Sequence, residues 1–310
     1  MSGEKRDAFD TENKQIVRER LWIPCFKNKF LEINSWKKQI RPIRYLCFPG
    51  PNYLFLKYLV EKELIPKESI IIGVESDLGI ATKIRPEIKM LLPNYIQYDD
   101  FFENIVSNHE GFQEKFPFDI AELDFTKFVL KTTNGEGTLP YIRALDNFFI
   151  KQLQNFDREI RIKGFYLTIT SNMQIWVFTK TFKEYKGNAI KILLEKELES
   201  FNSALNHPYL SDIITKKIPL SKKIKDIIVI MSLILVVMNH AFDYFLIKLI
   251  NAPICYIGTS SKMVTVVFHC KKKTKAQLGS ASYNERIRKE NLMNAIDLCK
   301  DTDFLLKPSK

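Results

Sequence analysis

Three short apolar segments between residues 43 and 125 constrain the fold more than any other feature of the sequence. The segments span residues 44–50, 69–77 and 118–125, and each ends in turn or acidic residues. Between the first two, apolar residues recur at spacings of three and four, which predicts a helix packed on a sheet. A strand, a helix and a second strand in this order form a right-handed parallel unit. The sequence therefore predicts an α/β fold whose ligand binds at the carboxyl ends of the strands.

Turn, acidic or polar residues stand at the predicted carboxyl ends of four strands. Because parallel strands end at one edge of a sheet, we expect these side chains to lie near one another. They are Pro49 and Gly50 after the first strand, Glu75 after the second and Asp124 in the fourth. Phe48, Ser76, Asp99, Asp100 and Glu122 are further residues at the predicted strand ends.

This pattern resembles the cofactor half of the class I, Rossmann-like S-adenosylmethionine-dependent methyltransferases. The resemblance implies that the turn at Gly50 approaches the methionine end of the cofactor, and that Glu75 holds the ribose hydroxyls. It places Asp99 or Asp100 near the adenine. The fourth strand would bring Glu122 or Asp124 towards the transferred methyl group. Residues 122 and 124 share a strand face, so either could orient or deprotonate a substrate nucleophile.

The end of the chain extends the resemblance to about residue 270. Two β-rich segments, Ile254–Ile257 and residues 263–270, flank a short turn that contains glycine, which predicts an antiparallel hairpin. The family implies a mostly parallel, seven-stranded sheet with strand order 3-2-1-4-5-7-6. We therefore expect an amino-terminal arm with short helices over residues 1–42, the α/β domain over 43–270 and a basic helical tail over 271–310.

Other segments predict helices and one polar loop. Pro24 should break any long amino-terminal helix, and Pro86 should interrupt the helix after the second strand. The apolar segment 227–238 is shorter than the roughly 20 residues of a membrane span, which favours a buried helix. The remaining predictions are helices over 141–156, 178–206 and 224 to about 249, and a polar loop over 131–138 that is either an active-site lid or a plain surface turn.

The cysteines and the amino terminus favour a reducing cytoplasm. Five cysteines are scattered through the chain without a Cys-x-x-Cys pair, so neither a zinc site nor a disulfide framework is expected. The first residues are polar and lack the apolar core of a signal peptide.

A net charge of +11 favours an anionic partner such as nucleic acid. The alternative is a lysine-rich surface that serves solubility alone. Two segments concentrate the positive charge. They are the tail, with Lys271, Lys272, Lys273, Lys275, Arg286, Arg288 and Lys289, and the amino-terminal arm, with Lys27, Lys37, Lys38, Arg41 and Arg44.

Two functions remain open after the motifs are compared. The chain has no Gly-x-Gly-x-x-Gly and no Gly-x-Ser-x-Gly, which disfavours dehydrogenases and α/β-hydrolases. The first hypothesis is a methyltransferase with S-adenosylmethionine as cofactor and nucleic acid as substrate. The second is a degenerate, non-catalytic module within a larger complex. The second rests on Gly50, which stands alone between Pro49 and Pro51 where the family usually has several glycines.

Overall fold

A computed structural model describes residues 12–34, 42–125, 140–156, 164–173, 205–215, 221–258 and 261–305. Within these residues, nine strands form one sheet. The strands are β1 Arg44–Cys47, β2 Ile70–Val74, β3 Tyr95–Tyr98, β4 Ile120–Phe125, β5 Gly164–Asn172, β6 Phe245–Leu249, β7 Ile254–Ile257, β8 Lys262–Lys272 and β9 Asp303–Leu305.

The strand order is β3-β2-β1-β4-β5-β8-β7-β9, with β6 paired to β8 as well. Strands β1 to β5 are mutually parallel, and β8 runs antiparallel to β5. Strands β6 and β7 pair with opposite halves of β8, so they share one position in the sheet. This topology confirms the predicted Rossmann-like α/β class and its terminal hairpin. The predicted order also holds, if β8 is counted as the seventh strand and β6 with β7 as the sixth.

Strand β6 corrects one prediction. The helix expected to continue to about residue 249 ends at Phe242, and Phe245–Leu249 forms a strand instead. Burial alternates along this strand, with Phe245, Ile247 and Leu249 buried and Lys248 exposed. Strand β9 is the other addition to the seven expected strands. It pairs with β7 in parallel.

Helices cover both faces of the sheet. Residues of α1 to α4 share a core with one face, and residues of α5 to α9 and α11 share a second core with the other face. The described helices are α1 Glu12–Val17, α2 Ile23–Asn34, α3 Leu54–Glu61, α4 Leu78–Leu91, α5 Phe102–Asn108, α6 Glu110–Gln113, α7 Pro140–Phe156, α8 Pro208–Ile214, α9 Lys222–Phe242, α10 Lys275–Leu278 and α11 Ala281–Lys300.

The amino-terminal segment is more regular than predicted. A π-helical turn over Arg18–Trp22 joins α1 to α2, and the helix continues through Pro24. Proline lacks the amide hydrogen that an α-helix uses, and a π turn is one of the distortions with which a helix accommodates such a defect. Trp22 and Phe26 then pack edge-on against Phe55 and Tyr45, with ring centroids 5.0 and 4.9 Å apart. The break predicted at Pro24 is therefore wrong.

Pro86 likewise lies inside α4 and does not interrupt it. The apolar segment 227–238 forms the middle of α9 and is largely buried, as expected. Among the described residues, no helix has both the length and the apolar character that crossing a membrane requires. All five cysteines are buried free thiols. The predicted loop 131–138, nearly all of the predicted helix 178–206, and Lys37, Lys38 and Arg41 lie outside the described residues.

Candidate functional site

A cleft of about 150 Å³ lies at the carboxyl ends of β1 to β4. This volume is below the roughly 300 Å³ at which ligand pockets usually begin, so the enclosed part could hold only part of a cofactor-sized molecule. The lining residues are Phe48, Gly50, Val74, Glu75, Ser76, Asp100, Phe101, Phe102, Glu103, Asp124, Phe125 and Tyr141. A larger concavity of about 250 Å³ lies beside α11, away from these strand ends.

The structure brings six of the nine predicted site residues into this cleft. They are Phe48, Gly50, Glu75, Ser76, Asp100 and Asp124. Pro49, Asp99 and Glu122 do not line it. The fold explains the convergence, because each strand contributes the residues at or just after its carboxyl end.

The turn after β1 is built around Gly50. Its φ of 65° lies in the left-handed region, which glycine adopts without the steric cost of a Cβ atom. The Gly50 carbonyl accepts a hydrogen bond from the amide of Tyr53 at 3.3 Å, which closes the turn into α3. The backbone of Gly50 therefore forms part of the cleft wall.

Glu75 is held at the end of β2 by backbone contacts. Its amide donates to the Tyr98 carbonyl at 3.1 Å, which joins the ends of β2 and β3. Its Oε1 accepts from the Asp77 amide at 3.0 Å. Burial raises the pKa of Glu75, and the nearby charges of Asp77 and Asp99 raise it further. A cation placed beside this carboxylate would relieve that unfavourable environment.

The two acids after β3 have different surroundings. Burial alone would raise the pKa of Asp99, but hydrogen bonds from Arg85 and Gln97 outweigh burial and lower it. Asp99 therefore forms an ion pair with Arg85. Asp100 lines the cleft, and its Oδ1 accepts from the Phe101 amide at 2.6 Å and from Asn104 Nδ2 at 3.0 Å.

Asp124 and Glu122 share one face of β4, as predicted, but only Asp124 lines the cleft. Asp124 forms an ion pair with Lys14 of α1, and the two side chains are 8% and 7% exposed. Glu122 lies deeper beneath the amino-terminal helices and accepts a hydrogen bond from the Tyr45 hydroxyl. Burial raises the pKa of Glu122 to about 8, against the opposing effect of that hydrogen bond. At neutral pH, Glu122 is therefore largely protonated.

Aromatic rings form the rest of the wall. Phe48 packs against Phe125 and Phe102, with centroids 5.6 and 5.7 Å apart, and Phe125 packs against Tyr141 at 4.9 Å. Phe101 is 53% exposed although it is a large apolar side chain. Of these rings, sequence reasoning named Phe48 as a site residue and missed the other four. The available signal was their position, since Phe101 and Phe125 directly follow Asp100 and Asp124.

The charge of the lining has a single sign. Four lining residues carry carboxylates, namely Glu75, Asp100, Glu103 and Asp124. Within the described part of the chain, the lining contains neither lysine nor arginine. Such a cleft favours a ligand that is positively charged and carries an aromatic group, because carboxylates and ring faces both attract cations.

A comparison of the sequence with protein-family models and with curated proteins finds no match.

Proposed function

We propose that the cleft binds S-adenosylmethionine and that the protein is a methyltransferase. The observation that carries this proposal is the chemistry of the lining, four carboxylates and several aromatic rings without lysine or arginine among the described lining residues. The cofactor has an adenine ring that suits the aromatic wall, and a sulfonium and an ammonium group that suit the carboxylates. An anionic nucleotide would instead bring its phosphates against those carboxylates.

Five lining residues have assigned roles in this proposal. Glu75 accepts hydrogen bonds from the ribose hydroxyls, while Phe101 and Asp100 contact the adenine. The backbone of Gly50 approaches the methionine end. Asp124, at the end of β4, holds the acceptor group of the substrate.

Methyl transfer from a sulfonium asks little acid–base chemistry of the protein, because the cofactor supplies an activated methyl group and a neutral leaving group. The remaining task is to position the acceptor and to exclude water. Asp124 can accept a hydrogen bond from an N–H or O–H of the substrate. Glu122 lies below the lining and is largely protonated, so it would support Tyr45 and the strand rather than act as the base.

Isothermal titration calorimetry with S-adenosylmethionine and with ATP tests the proposal. Both ligands contain adenosine but carry opposite charge, so we expect the first to bind more tightly. A carboxylate hydrogen bond contributes about 1.5–3 kcal/mol, so Glu75→Ala should weaken binding of S-adenosylmethionine by about tenfold or more. The matched control is Glu68→Ala, because Glu68 is an exposed carboxylate before the other end of β2. Tighter binding of ATP, or equal effects of the two variants, would contradict the proposal.

A non-catalytic methyltransferase-like module is the second candidate. It is favoured by the contacts of Asp124, whose carboxylate is paired with Lys14 instead of facing the cleft without a counter-charge. The isolated Gly50 between two prolines favours the same function. If the native protein is folded by circular dichroism and binds no S-adenosylmethionine, that result would support this candidate over the first.

Nucleic acid is our proposed macromolecular partner, on the basis of the net charge of +11. The acidic lining of the cleft is unfavourable for phosphate groups, however. The backbone of a nucleic acid would therefore bind to another surface of the molecule.

A further inference from the structure

The positive charge of the described chain is concentrated at the end of the sheet opposite the cleft. Strand β8 runs antiparallel to β5, so Met263 pairs with Asn172 at the carboxyl end of β5, while Lys271 pairs with Gly164 at its amino end. Strand β6 begins at that same end, where Phe245 pairs with Lys272. Eight residue steps along β5, at about 3.3 Å each, separate the two ends by roughly 26 Å.

We define the basic edge as the cations of residues 243–248, 271–275 and 281–290. They are Lys248, Lys271, Lys272, Lys273, Lys275, Arg286, Arg288 and Lys289. The same three segments contain three carboxylates, Asp243, Glu285 and Glu290, so the local charge is +5. The cleft lining at the opposite end contains four carboxylates, of which Asp124 is paired with Lys14.

Contacts between elements hold these segments together. Asn291 Nδ2 donates to the Ile247 carbonyl at 3.0 Å, which fixes α11 beside β6. Arg288 donates to Asn239 near the end of α9. Lys273 Nζ donates to the Phe242 carbonyl at the end of the same helix. The basic edge is therefore part of the folded domain.

Four of its lysines are available to a partner. Lys248, Lys271, Lys275 and Lys289 are exposed, and their side chains form no hydrogen bond or ion pair with any other described residue. Two of them, Lys248 and Lys271, lie close to the partly buried ring of His269. Burial, and to a smaller extent the charges of Lys271, Lys29 and Lys248, together lower the pKa of His269 to about 4. Lys29 is itself paired with Glu32 and Asp119.

We propose that the basic edge binds the phosphate backbone of a nucleic acid and holds it away from the cleft. The lysines are spread over β6, β8, α10 and α11, which suits a partner with regularly repeated charges. A membrane surface is a weaker fit, because Leu278 is the one exposed large apolar side chain near the basic edge in the described chain. The proposal does not depend on what the cleft binds. It implies that bound phosphates lie at the opposite end of the sheet from the acidic lining, so the backbone anchors the protein without entering the site.

The test is a fluorescence-anisotropy titration of labelled RNA and of duplex DNA between about 50 and 200 mM salt. The variant changes Lys248, Lys271, Lys275 and Lys289 to Gln. If all four contact phosphates, the fall of log K with log salt should become shallower in the variant, by about 2.8 on single strands or about 3.6 on duplex DNA. Affinity at the lowest salt should decrease with it.

The matched control changes Lys62, Lys67, Lys83 and Lys89 to Gln. These lysines are also exposed but lie on or beside α3 and α4, and each quadruple variant lowers the net charge from +11 to +7. We expect the control to keep most of the native slope. Equal losses in the two variants would mean that total charge alone matters, which overturns the proposal. So would the absence of nucleic-acid binding at low salt, or binding to phosphatidylserine vesicles alone.

A second measurement separates this proposal from that for the cleft. Native protein saturated with nucleic acid should bind S-adenosylmethionine with the same affinity as free protein, and the Gln variant of the basic edge should do so too. Competition between the two ligands would place the nucleic acid in the cleft and overturn the proposal. If the protein binds nucleic acid but no S-adenosylmethionine, the basic edge stands and the proposed activity fails.

Discussion

Glu122 makes folding stability depend on pH, and Glu122→Gln should remove that dependence. The carboxyl group is buried in β4 beneath the amino-terminal helices, and burial raises its pKa from 4.5 to about 8. It accepts a hydrogen bond from the Tyr45 hydroxyl. Glutamine preserves the size of the side chain and a carbonyl oxygen that can accept this bond, but it cannot ionise.

The direction and size of the effect follow from the two pKa values. Between pH 4.5 and about 8, Glu122 is ionised in the unfolded chain and protonated in the folded protein. The folded state then binds one proton more, so stability decreases by about 1.4 kcal/mol per pH unit. The stabilisation is complete below the unfolded pKa and is lost by the time pH passes the folded pKa. From about pH 5.5 to 7.5 the loss is about 3 kcal/mol.

The assay is urea denaturation of both proteins across this pH range. From about pH 5.5 to 7.5, the free energy of unfolding of the variant should rise by about 3 kcal/mol relative to that of the native protein. The contributions of other titrating groups cancel in this difference. Glu61→Gln, at an exposed site on α3, is the control and should give a constant difference. A difference for Glu122→Gln that stays constant within about 0.5 kcal/mol would show that Glu122 ionises alike in both states, and would refute the reasoning.

Two further predictions concern the cleft. Lys14→Met leaves the carboxylate of Asp124 nearly buried without its partner, so it should lower the free energy of unfolding by about 3–5 kcal/mol, and adding Asp124→Asn should restore much of that loss in a double-mutant cycle. A Lys14→Met protein of native stability would show that the pair is solvated. Phe101→Ala should lower stability by about 1 kcal/mol or less, because 53% of the side chain is exposed. It should weaken binding of S-adenosylmethionine by about tenfold through lost stacking, measured by calorimetry, and unchanged affinity would remove Phe101 from the site.

The sequence predicted the fold class because local periodicity and topology agree in this part of the chain. Apolar segments separated by helical stripes define parallel strands, and parallel strands end at one edge. That logic alone placed Glu75 and Asp124 in the same cleft, although they are distant in sequence, and the resemblance added Asp100. It required no knowledge of side-chain contacts.

The features that the sequence did not predict depend on tertiary contacts. The apolar run before residue 245 hides the change from helix to strand, because Phe245–Leu249 is nearly as apolar as the helix it follows. The ion pair between Lys14 and Asp124 joins residues 110 positions apart, and the local sequence around either residue does not indicate its partner. Tyr141 reaches the cleft from the start of α7, which only the packing of that helix determines.

The two candidate functions differ in what they require of the ion pair between Lys14 and Asp124. Lys14 supplies a positive charge beside the cleft, next to a carboxylate that a cationic ligand could otherwise contact. If the cofactor contacts Asp124, it must compete with Lys14, and the free energy of the pair is subtracted from the free energy of binding. If the pair instead stays intact, Asp124 serves the attachment of α1 to the sheet, and the cofactor is held by Glu75 and Asp100. An active enzyme can use either arrangement, but a cleft whose acids all serve the fold would leave a Rossmann-like domain without methyl-transfer chemistry.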